Sequence, residues 1–298
     1  MTLAAPHGLA FQIGARTLFR VRRRLVRVGL GLDAVLAGAV PKLPPIGRDG
    51  DGYLITSLPQ AVLGGVTRDG MLAFVRQRYT RYHADLTIGY DAWWAGLSGN
   101  TRSSLKRKAK RFGSLDVRRY RTPDELEAFH ALARGVAAKT YQERLLGAGL
   151  PDSTNFVREM LRDGAADAVR AWLLFLDGGP VAYLYCPIHH GVVLYAYVGH
   201  DPAQAELSPG TLLHLEAMRD LFAEQRFRLF DFTEGEGQHK RAFATGGTEC
   251  ADVLLLRPTL ANRATLAGLR GFDAGVALAK RGVARMGLKD WAKRVRRG

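Results

Sequence analysis

Three apolar segments near the middle of the chain, at residues 169–176, 180–189 and 192–199, follow one another with only short breaks. Apolar runs of this length, bounded by Gly-containing links, are typical of β-strands. The links at 177–179 and 190–191 are short enough for tight hairpin turns. The pattern therefore predicts an antiparallel meander of three strands.

The clearest helix prediction covers residues 123–141, because several residues mark its start. Thr122 lies at the N-cap, Pro123 occupies the first turn, and Glu125 follows the cap by three residues, which makes a capping box. A second helix is predicted over 209–225. The other predicted helices cover 69–83, 90–112 with a break around 98–100, and 152–162, and the other strands cover 52–57, 115–120, 228–232 and 251–256.

The order of these elements indicates the fold class. Strand, helix, helix, three-stranded meander, helix, strand, short helix and strand follow one another along the chain. This order is typical of an α+β protein, with a mixed sheet, an antiparallel meander and helices on both faces.

Composition narrows the class of protein. The chain has 298 residues, of which 47% are hydrophobic and 24% charged, as in ordinary globular proteins. Its two cysteines, Cys186 and Cys250, are too few for a disulfide framework, and no Cys/His spacing resembles a zinc site, so no metal is expected. No apolar run reaches the ~18 residues of a spanning helix, and arginines interrupt the apolar stretches of the N-terminus, unlike in a signal peptide. We expect a cytoplasmic protein.

The distribution of charge along the chain indicates the kind of partner that the protein binds, because the net charge of +15 is concentrated in three segments. Residues 1–30 hold six Arg and no acidic residue, residues 263–298 hold ten basic and two acidic residues, and residues 102–119 hold eight basic residues and one acid. Residues 120–262 are mildly acidic, with 13 basic and 19 acidic residues. Nucleic acid, an anionic membrane and an acidic carrier protein are the partners that such basic segments attract.

Both basic ends also contain apolar residues, which favours one of these partners. Near the C-terminus Val283, Met286 and Trp291 lie among lysines and arginines. Apolar anchors beside basic residues suit a helix that lies in the headgroup region of an anionic membrane. We therefore predict basic amphipathic helices at both ends and a protein that is peripheral on the inner membrane. Plain docking of an amphipathic helix is the alternative, and no nucleic acid is expected.

A turn before the helix at 209–225 is the first candidate site. Ser208 is the expected N-cap, and Gly210 and Thr211 follow in the first turn. A helix N-terminus has unpaired N–H groups and a partial positive charge, so it can bind a phosphate group. A capped helix without any ligand is the alternative.

The segment 231–243, DFTEGEGQHKRAF, is the second candidate site, because it follows a buried strand and concentrates polar residues. Glu234, Glu236 and His239 could each accept a proton from an amine, and Lys240 could bind a phosphate or stabilise an oxyanion. A surface turn with solvated charges is the alternative.

Three segments in this order resemble the CelD/BcsL-like branch of the GNAT acyltransferases, which is related to the Fem-type transferases. They are the basic segment 102–111 (RSSLKRKAKR), the strand end 177–182 (DGGPVA) and the late loop 231–243. The likeness covers roughly residues 85–257. The chain differs from the branch at His239, where an aromatic residue usually precedes the lysine.

The resemblance implies a GNAT-like sheet that is splayed where a thioester carrier inserts. It implies an acyl-CoA or acyl-ACP co-substrate, with its phosphates near Ser208, Gly210 and Thr211. It also implies that Tyr141 and Arg144 face the acceptor. The domains expected from it are a basic leader at 1–50, an N-terminal GNAT-like half at 51–114, a GNAT acyltransferase domain at 115–258, and basic amphipathic C-terminal helices at 259–298.

Some bacterial ceramide synthases are similar to this branch. With the basic ends, this favours transfer of an acyl group from a thioester to a lipid amine acceptor, through N-acylation of a sphingoid base. Glu234, His239 and Lys240 are the expected catalytic residues. Two alternatives remain open: acetylation of a polysaccharide or sugar-nucleotide precursor, and a non-catalytic membrane or nucleic-acid binding protein on a GNAT scaffold.

Overall fold

The computed structural model describes residues 4–13, 16–66, 70–140, 149–235 and 237–285. The chain divides into two compact units: unit 1 is Met1–Tyr79 with Glu249–Gly298, and unit 2 is Thr80–Thr248. The four-segment division expected from the sequence stays a prediction. Among the described residues, no helix has the length and hydropathy needed to cross a bilayer.

Unit 1 is built on strands from both ends of the chain. Strands β1 (Ala5–Ile13) and β2 (Arg16–Gly29) form an antiparallel hairpin, β2 runs parallel to β3 (Gly52–Pro59), and β3 pairs antiparallel with β11 (Gly246–Leu256). The elements of unit 1 are β1 (Ala5–Ile13), β2 (Arg16–Gly29), α1 (Leu32–Leu36), β3 (Gly52–Pro59) and α8 (Leu260–Arg285). Strands β4 (Leu72–Asp85) and β11 (Gly246–Leu256) contain the boundaries between the two units.

The basic N-terminal segment is not an amphipathic helix, so that prediction was wrong. It forms β2, which pairs with β1 from Ala5↔Leu25 to Ile13↔Arg16. Arg20, Arg22 and Arg24 alternate with Val21, Arg23 and Leu25, which contact α8, and this period of two suits a strand. At the other end of the chain, α8 confirms a C-terminal helix as far as Arg285. Met286 and Trp291 lie outside the described residues.

The helix predicted at 69–83 is also wrong, because most of this segment is β4. Its β-branched and aromatic residues, such as Val75, Tyr79 and Tyr82, favour a pleated strand. The end of β4 pairs antiparallel with a short strand that is 144 to 148 residues away in the sequence, from Leu229↔Asp85 to Asp231↔His83. Local periodicity alone gave no sign of this partner.

Unit 2 contains most of the predicted elements. They are α2 (Tyr90–Gly96), α3 (Gly99–Phe112), β5 (Asp116–Tyr120), α4 (Pro123–Ala137), α5 (Thr154–Ala165), β6 (Val169–Leu176), β7 (Gly179–His189), β8 (Val192–Leu194), β9 (Tyr197–His200), α6 (Pro209–Glu224), β10 (Leu229–Asp231) and α7 (Gln238–Phe243).

The α+β architecture with helices on both faces of a sheet is confirmed in unit 2. Strand β6 pairs antiparallel with β5 and β7, and β7 pairs with β8 and β9. Helices α4 and α5 pack through one core cluster against side chains such as Phe175 and Tyr185 of the sheet. Helices α2, α3 and α6 pack through another cluster, which includes Trp172 and Leu184. Successive strand residues point to opposite faces, so one sheet supplies both cores.

Local sequence signals correctly placed several boundaries in unit 2. The capping box of α4 is formed, with Glu125 N donating to Thr122 Oγ1 at 3.5 Å and Thr122 N to Glu125 Oε2 at 3.0 Å. Asp177 and Gly178, in the link between β6 and β7, have φ of 50° and 79°. Two successive positive φ values are typical of the tight hairpin turn that the sequence predicted.

Candidate active site

An opening in the sheet of unit 2 lies where β8 ends. Strands β8 and β10 run parallel and in register up to Leu194↔Asp231, and their last backbone–backbone bond among the described residues is from Tyr195 N to Asp231 O at 2.9 Å. Beyond it, the Thr233 side chain donates from Oγ1 to Tyr195 O at 3.4 Å. Strand β9 then pairs with β7, from Tyr185↔Tyr197 onward. No described strand pair joins β9 to the chain that follows Asp231. The backbone pairing therefore ends here, as in the splayed sheet that the resemblance implies, whose position the sequence did not indicate.

The N-terminus of α6 lies at the end of the chain segment that leaves this opening. Ser208 is the N-cap residue by position, but its φ of 56° and ψ of 45° are left-handed and its side chain makes no capping bond. The expected side-chain cap is therefore wrong. The Ser208 carbonyl instead accepts hydrogen bonds from Thr211 N at 3.1 Å and Leu212 N at 3.3 Å.

Gly210, in the first turn of α6, is not required by packing. A Cβ built there meets His200 Nδ1 at 3.5 Å, which is an ordinary van der Waals distance. The residue is half-buried and its φ is not in the left-handed region. The fold therefore leaves room for a small side chain at this position.

The basic helix α3 lies beside this helix start. Lys108 Nζ donates to Thr211 Oγ1 at 3.4 Å, and Arg111 pairs with Glu206 at 3.4 Å. The sequence marked both segments separately but did not predict that they meet. A lysine ammonium beside the positive end of a helix dipole makes a favourable position for a phosphate group.

The other edge of the opening is the late loop, which starts from a buried ion pair. The Asp231 side chain is completely buried. It accepts two hydrogen bonds from Arg81, one from Nε at 3.1 Å and one from Nη2 at 2.6 Å. Its Oδ1 also accepts a bond from Thr233 N at 2.8 Å. The pair fixes the first residues of the loop to β4. Arg81 was not predicted to belong to the site, because the local pattern of residues favoured a helix over 69–83.

Lys240 also holds this loop in place. It is 9% exposed, and its Nζ donates to the backbone carbonyl of Glu234 at 2.6 Å. The Glu234 side chain itself is exposed. Lys240 therefore links α7 to the loop, while its predicted role in binding a phosphate or an oxyanion stays a prediction. Glu236 lies outside the described residues.

His239 borders the opening. Its ring packs against Tyr195, with centroids 5.8 Å apart, and part of the ring is open to solvent. Burial of the rest of the ring, followed by the charge of Lys240, lowers the pKa of His239 below its ordinary value. The imidazole is therefore neutral at neutral pH and can accept a proton.

A second histidine, which the sequence pattern did not mark as a site residue, lies behind the first. His214 of α6 is 2% exposed and stacks on Phe243, with ring centroids 4.4 Å apart. Its Nε2 has no hydrogen-bond partner among the described residues. Burial, followed by the charge of His239, lowers the pKa of His214 to about 3. Its place among the apolar residues of α6 was the available signal.

On the opposite face of the sheet, an aromatic group borders β9. The Tyr197 ring meets Phe156 of α5 edge-on, with centroids 5.4 Å apart, and lies 6.1 Å from Tyr185. Phe156 and Tyr197 are half-buried. Tyr141 and Arg144, which the resemblance places near the acceptor, lie outside the described residues.

The chain matches one family model, and its fold is similar to that of several solved structures. Residues 99–241 match the family model described as acetyltransferase (GNAT) domain. No curated protein matches the chain significantly. The structure of FemX has a TM-score of 0.50 at 10% identity, over 85% of this chain and 89% of that one. At this identity the likeness concerns the fold alone.

Two further structures are similar at lower scores. The C-terminal DUF2156 domain of a protein described as a lysylphosphatidylglycerol synthetase, from Agrobacterium fabrum, has a TM-score of 0.49 at 12% identity, over 80% of this chain and 73% of that one. L-PGS from Bacillus licheniformis has a TM-score of 0.48 at 14% identity, over 74% and 72%. Residues 99–241, which span just under half of the chain, are therefore similar in sequence to an acetyltransferase (GNAT) domain.

Proposed function

We propose that the protein is an N-acyltransferase that moves an acyl group from an acyl-CoA or acyl-ACP thioester to the amine of a membrane-associated acceptor, of which a sphingoid base is the specific candidate. One observation carries the proposal. Within a matched GNAT domain, the sheet opens after Tyr195, with a basic helix N-terminus on one side and a neutral histidine at its edge.

The donor end of the site follows from charge. Of the predicted residues Ser208, Gly210 and Thr211, Ser208 N and Thr211 N already donate to the carbonyls of Ala205 and Ser208. The Gly210 N–H and the Thr211 hydroxyl, with the Lys108 ammonium beside them, suit the phosphates of a thioester carrier. The opening between β9 and the late loop then receives the thioester end. CoA and ACP both present the acyl group on a phosphopantetheine chain, so the product analysis below is designed to distinguish them.

The chemical step is a direct transfer. The neutral amine nitrogen attacks the thioester carbonyl carbon, a C–N bond forms, and the C–S bond breaks. In our proposal His239 takes the proton from the amine, directly or through water, and this proton then neutralises the departing thiolate. The lowered pKa of His239 keeps the ring ready to accept that proton. Glu234 is the second candidate base, and Lys240 supports both through the loop that it holds.

Two features support the proposed acceptor: the apolar side chains near the site and the basic segments at the ends of the chain. The half-buried rings of Phe156 and Tyr197 offer apolar surface on the face opposite α6. The strongly basic terminal segments favour an acceptor that resides in an anionic membrane. An amine with a long apolar chain meets both conditions.

Product analysis tests the proposal. The full-length protein is incubated with acyl-CoA and acyl-ACP of several chain lengths and with sphingoid, sugar and short-chain amines, and products are read by mass spectrometry. We expect amide formed from a long-chain amine. Acetylation of a sugar alone would replace the lipid acceptor by the polysaccharide precursor. Failure with every pair would leave a non-catalytic scaffold.

Three variants test the residues. His239→Ala is expected to lower kcat by ~10²-fold or more, as for the loss of a general base, and Glu234→Gln and Lys240→Ala are expected to lose transfer without unfolding. His190→Asn is the matched control, because His190 is an exposed turn residue whose φ of 51° an asparagine tolerates. Full turnover in all three site variants would refute the catalytic assignment.

A further inference from the structure

The β1–β2 hairpin ends in an exposed apolar pair. Leu18 is 50% exposed and Phe19 is 52% exposed, although Phe19 stacks on Phe11 of β1 with ring centroids 4.2 Å apart. Both residues lie near the end of the hairpin at which Ile13 pairs with Arg16. Large apolar side chains at the end of a hairpin do not contribute to a core, so their exposure calls for a physical reason.

Exposed arginines continue from this pair along one face of β2. Arg20, Arg22 and Arg24 alternate along the strand, and all three are exposed. Arg24 pairs with Asp49 at 2.6 Å, whereas the described residues include no ion pair for Arg20 or Arg22. Residues 1–30 contain no acidic residue that could neutralise them. The face therefore keeps its positive charge.

The second basic end of the chain reaches the same part of unit 1. Near the start of α8, Asn262 Oδ1 accepts a bond from Arg23 Nε at 2.9 Å, and further along the helix Phe272 packs edge-on against Phe11, with centroids 5.4 Å apart. Helix α8 thus runs from the middle of β2 toward the end of the hairpin. The chain continues in that direction past Phe272, rising ~1.5 Å per residue.

The later part of α8 adds a third exposed apolar residue at this end. Leu278 lies beyond Phe272 and is 71% exposed. Asp273, the acid of this stretch, is matched by Arg76 at 3.7 Å. Two segments more than 240 residues apart therefore bring apolar side chains and unneutralised basic charge together.

From this arrangement we infer that the hairpin-end surface, formed by Leu18, Phe19, Arg20, Arg22 and Leu278, enters the interfacial region of an anionic bilayer. The apolar side chains lie among the lipid glycerol and upper acyl groups, and the guanidinium groups bind lipid phosphates. The inference rests on the membrane-held acceptor of the proposed function and names the surface that holds the protein there.

A bilayer fits this surface better than a nucleic acid does. Arginines alone suffice to bind a phosphate backbone, whereas exposed leucine and phenylalanine gain free energy only where apolar surface leaves water. Phe19 and Leu18 are neighbours along the strand, so they point to opposite faces of the hairpin end. Both faces gain contact only if the hairpin end is inserted between lipids.

Site-specific labelling tests the inference on the full-length protein. Cys186 and Cys250 are fully buried, so a Leu18→Cys variant can be labelled selectively with an environment-sensitive fluorophore. We expect a blue shift and stronger emission with vesicles of phosphatidylglycerol and phosphatidylcholine, a weaker response at high salt, and none with pure phosphatidylcholine. Leu260→Cys is the matched control: Leu260 is 86% exposed at the opposite end of α8, and its label should not respond.

Flotation of unlabelled variants supplies the second measurement. Leu18→Ser with Phe19→Ser should lower binding to anionic vesicles about tenfold or more, because two half-exposed apolar side chains lose their lipid contact. Leu260→Ser should bind like the parent protein. Turnover of a soluble short-chain amine should be equal in all of them, since no substituted residue belongs to the site.

The possible failures are distinct. If the protein floats but the label at residue 18 does not respond, or the double variant floats equally well, the inference is overturned and the proposed function is untouched. If the full-length protein binds DNA or RNA at low salt but does not bind vesicles, the surface is a nucleic-acid site and the inference is again overturned. If the parent protein shows no turnover of any donor and acceptor pair, that result would instead count against the proposed function.

Discussion

Replacing His214 by leucine should make the stability of unit 2 less sensitive to acid. In the folded protein the ring is 2% exposed and its pKa lies at about 3, whereas in the unfolded chain the pKa returns to 6.5. The unfolded state therefore binds a proton as pH falls through 6.5, and the folded state does not bind it until pH approaches about 3. The stability associated with the neutral ring is present above pH 6.5 and is lost progressively between these two values.

The size of the effect follows from the two pKa values. Each pH unit below 6.5 costs about 1.4 kcal/mol, so at pH 5 the wild-type protein should have lost about 2 kcal/mol through this residue. A leucine does not titrate, and it retains apolar contact with Phe243. It also removes a buried Nε2 that has no partner among the described residues. We therefore expect His214→Leu to be as stable as the wild type or more stable at pH 7.5, with a larger advantage at pH 5.

Urea denaturation at the two pH values measures this difference. Trp93 and Trp172 are buried in unit 2, so tryptophan fluorescence reports on its unfolding. Other histidines with lowered pKa values, such as His83 and His200, contribute equally to both proteins and cancel in the comparison. His189→Leu, at an exposed strand end, is the control and should show no pH-dependent difference. Equal differences for His214→Leu at both pH values would refute the burial argument.

Two further predictions test the site. Gly210→Glu should raise the KM for the thioester steeply through bulk and charge repulsion. Gly210→Ala, for which the fold has room, should change this KM little. An unchanged KM in a folded Gly210→Glu protein would remove the phosphate site from the proposal. Asp231→Ala should destabilise unit 2 by about 3–5 kcal/mol, because it leaves the Arg81 guanidinium buried without its carboxylate, and Arg81→Met with Asp231→Leu should recover most of the loss in denaturation experiments. A double variant no more stable than Asp231→Ala would contradict that account.

The sequence predicted those features of the site that depend on near neighbours. The turn at 177–179, the helix α6 after Ser208 and the loop after Asp231 lie where they were expected. Each is signalled within a few residues, by a proline at a helix start or by glycines that accept positive φ. The residue types of the candidate site, including His239, were identified in the same way.

Contacts between distant segments were decided only by the tertiary structure. The sequence did not indicate that Lys108 meets Thr211, that Arg81 neutralises Asp231 or that His214 lies beneath His239, since these partners are 25 to 150 residues apart. The same is true of the two mistaken helices. Arginine-rich segments with mixed apolar residues fit either a helix or a strand locally, and the choice was made by the strands available to pair with β2 and β4.

The segments that carry chemistry and charge could therefore be predicted from the sequence, because residue type and short spacing express those properties directly. The tertiary structure decided which of them act together. It joined the basic helix α3 to the start of α6, and it placed α8 beside the N-terminal hairpin, whose tip exposes Leu18 and Phe19. Burial and cross-strand pairing are properties of the whole fold, and they convert scattered polar residues into a site.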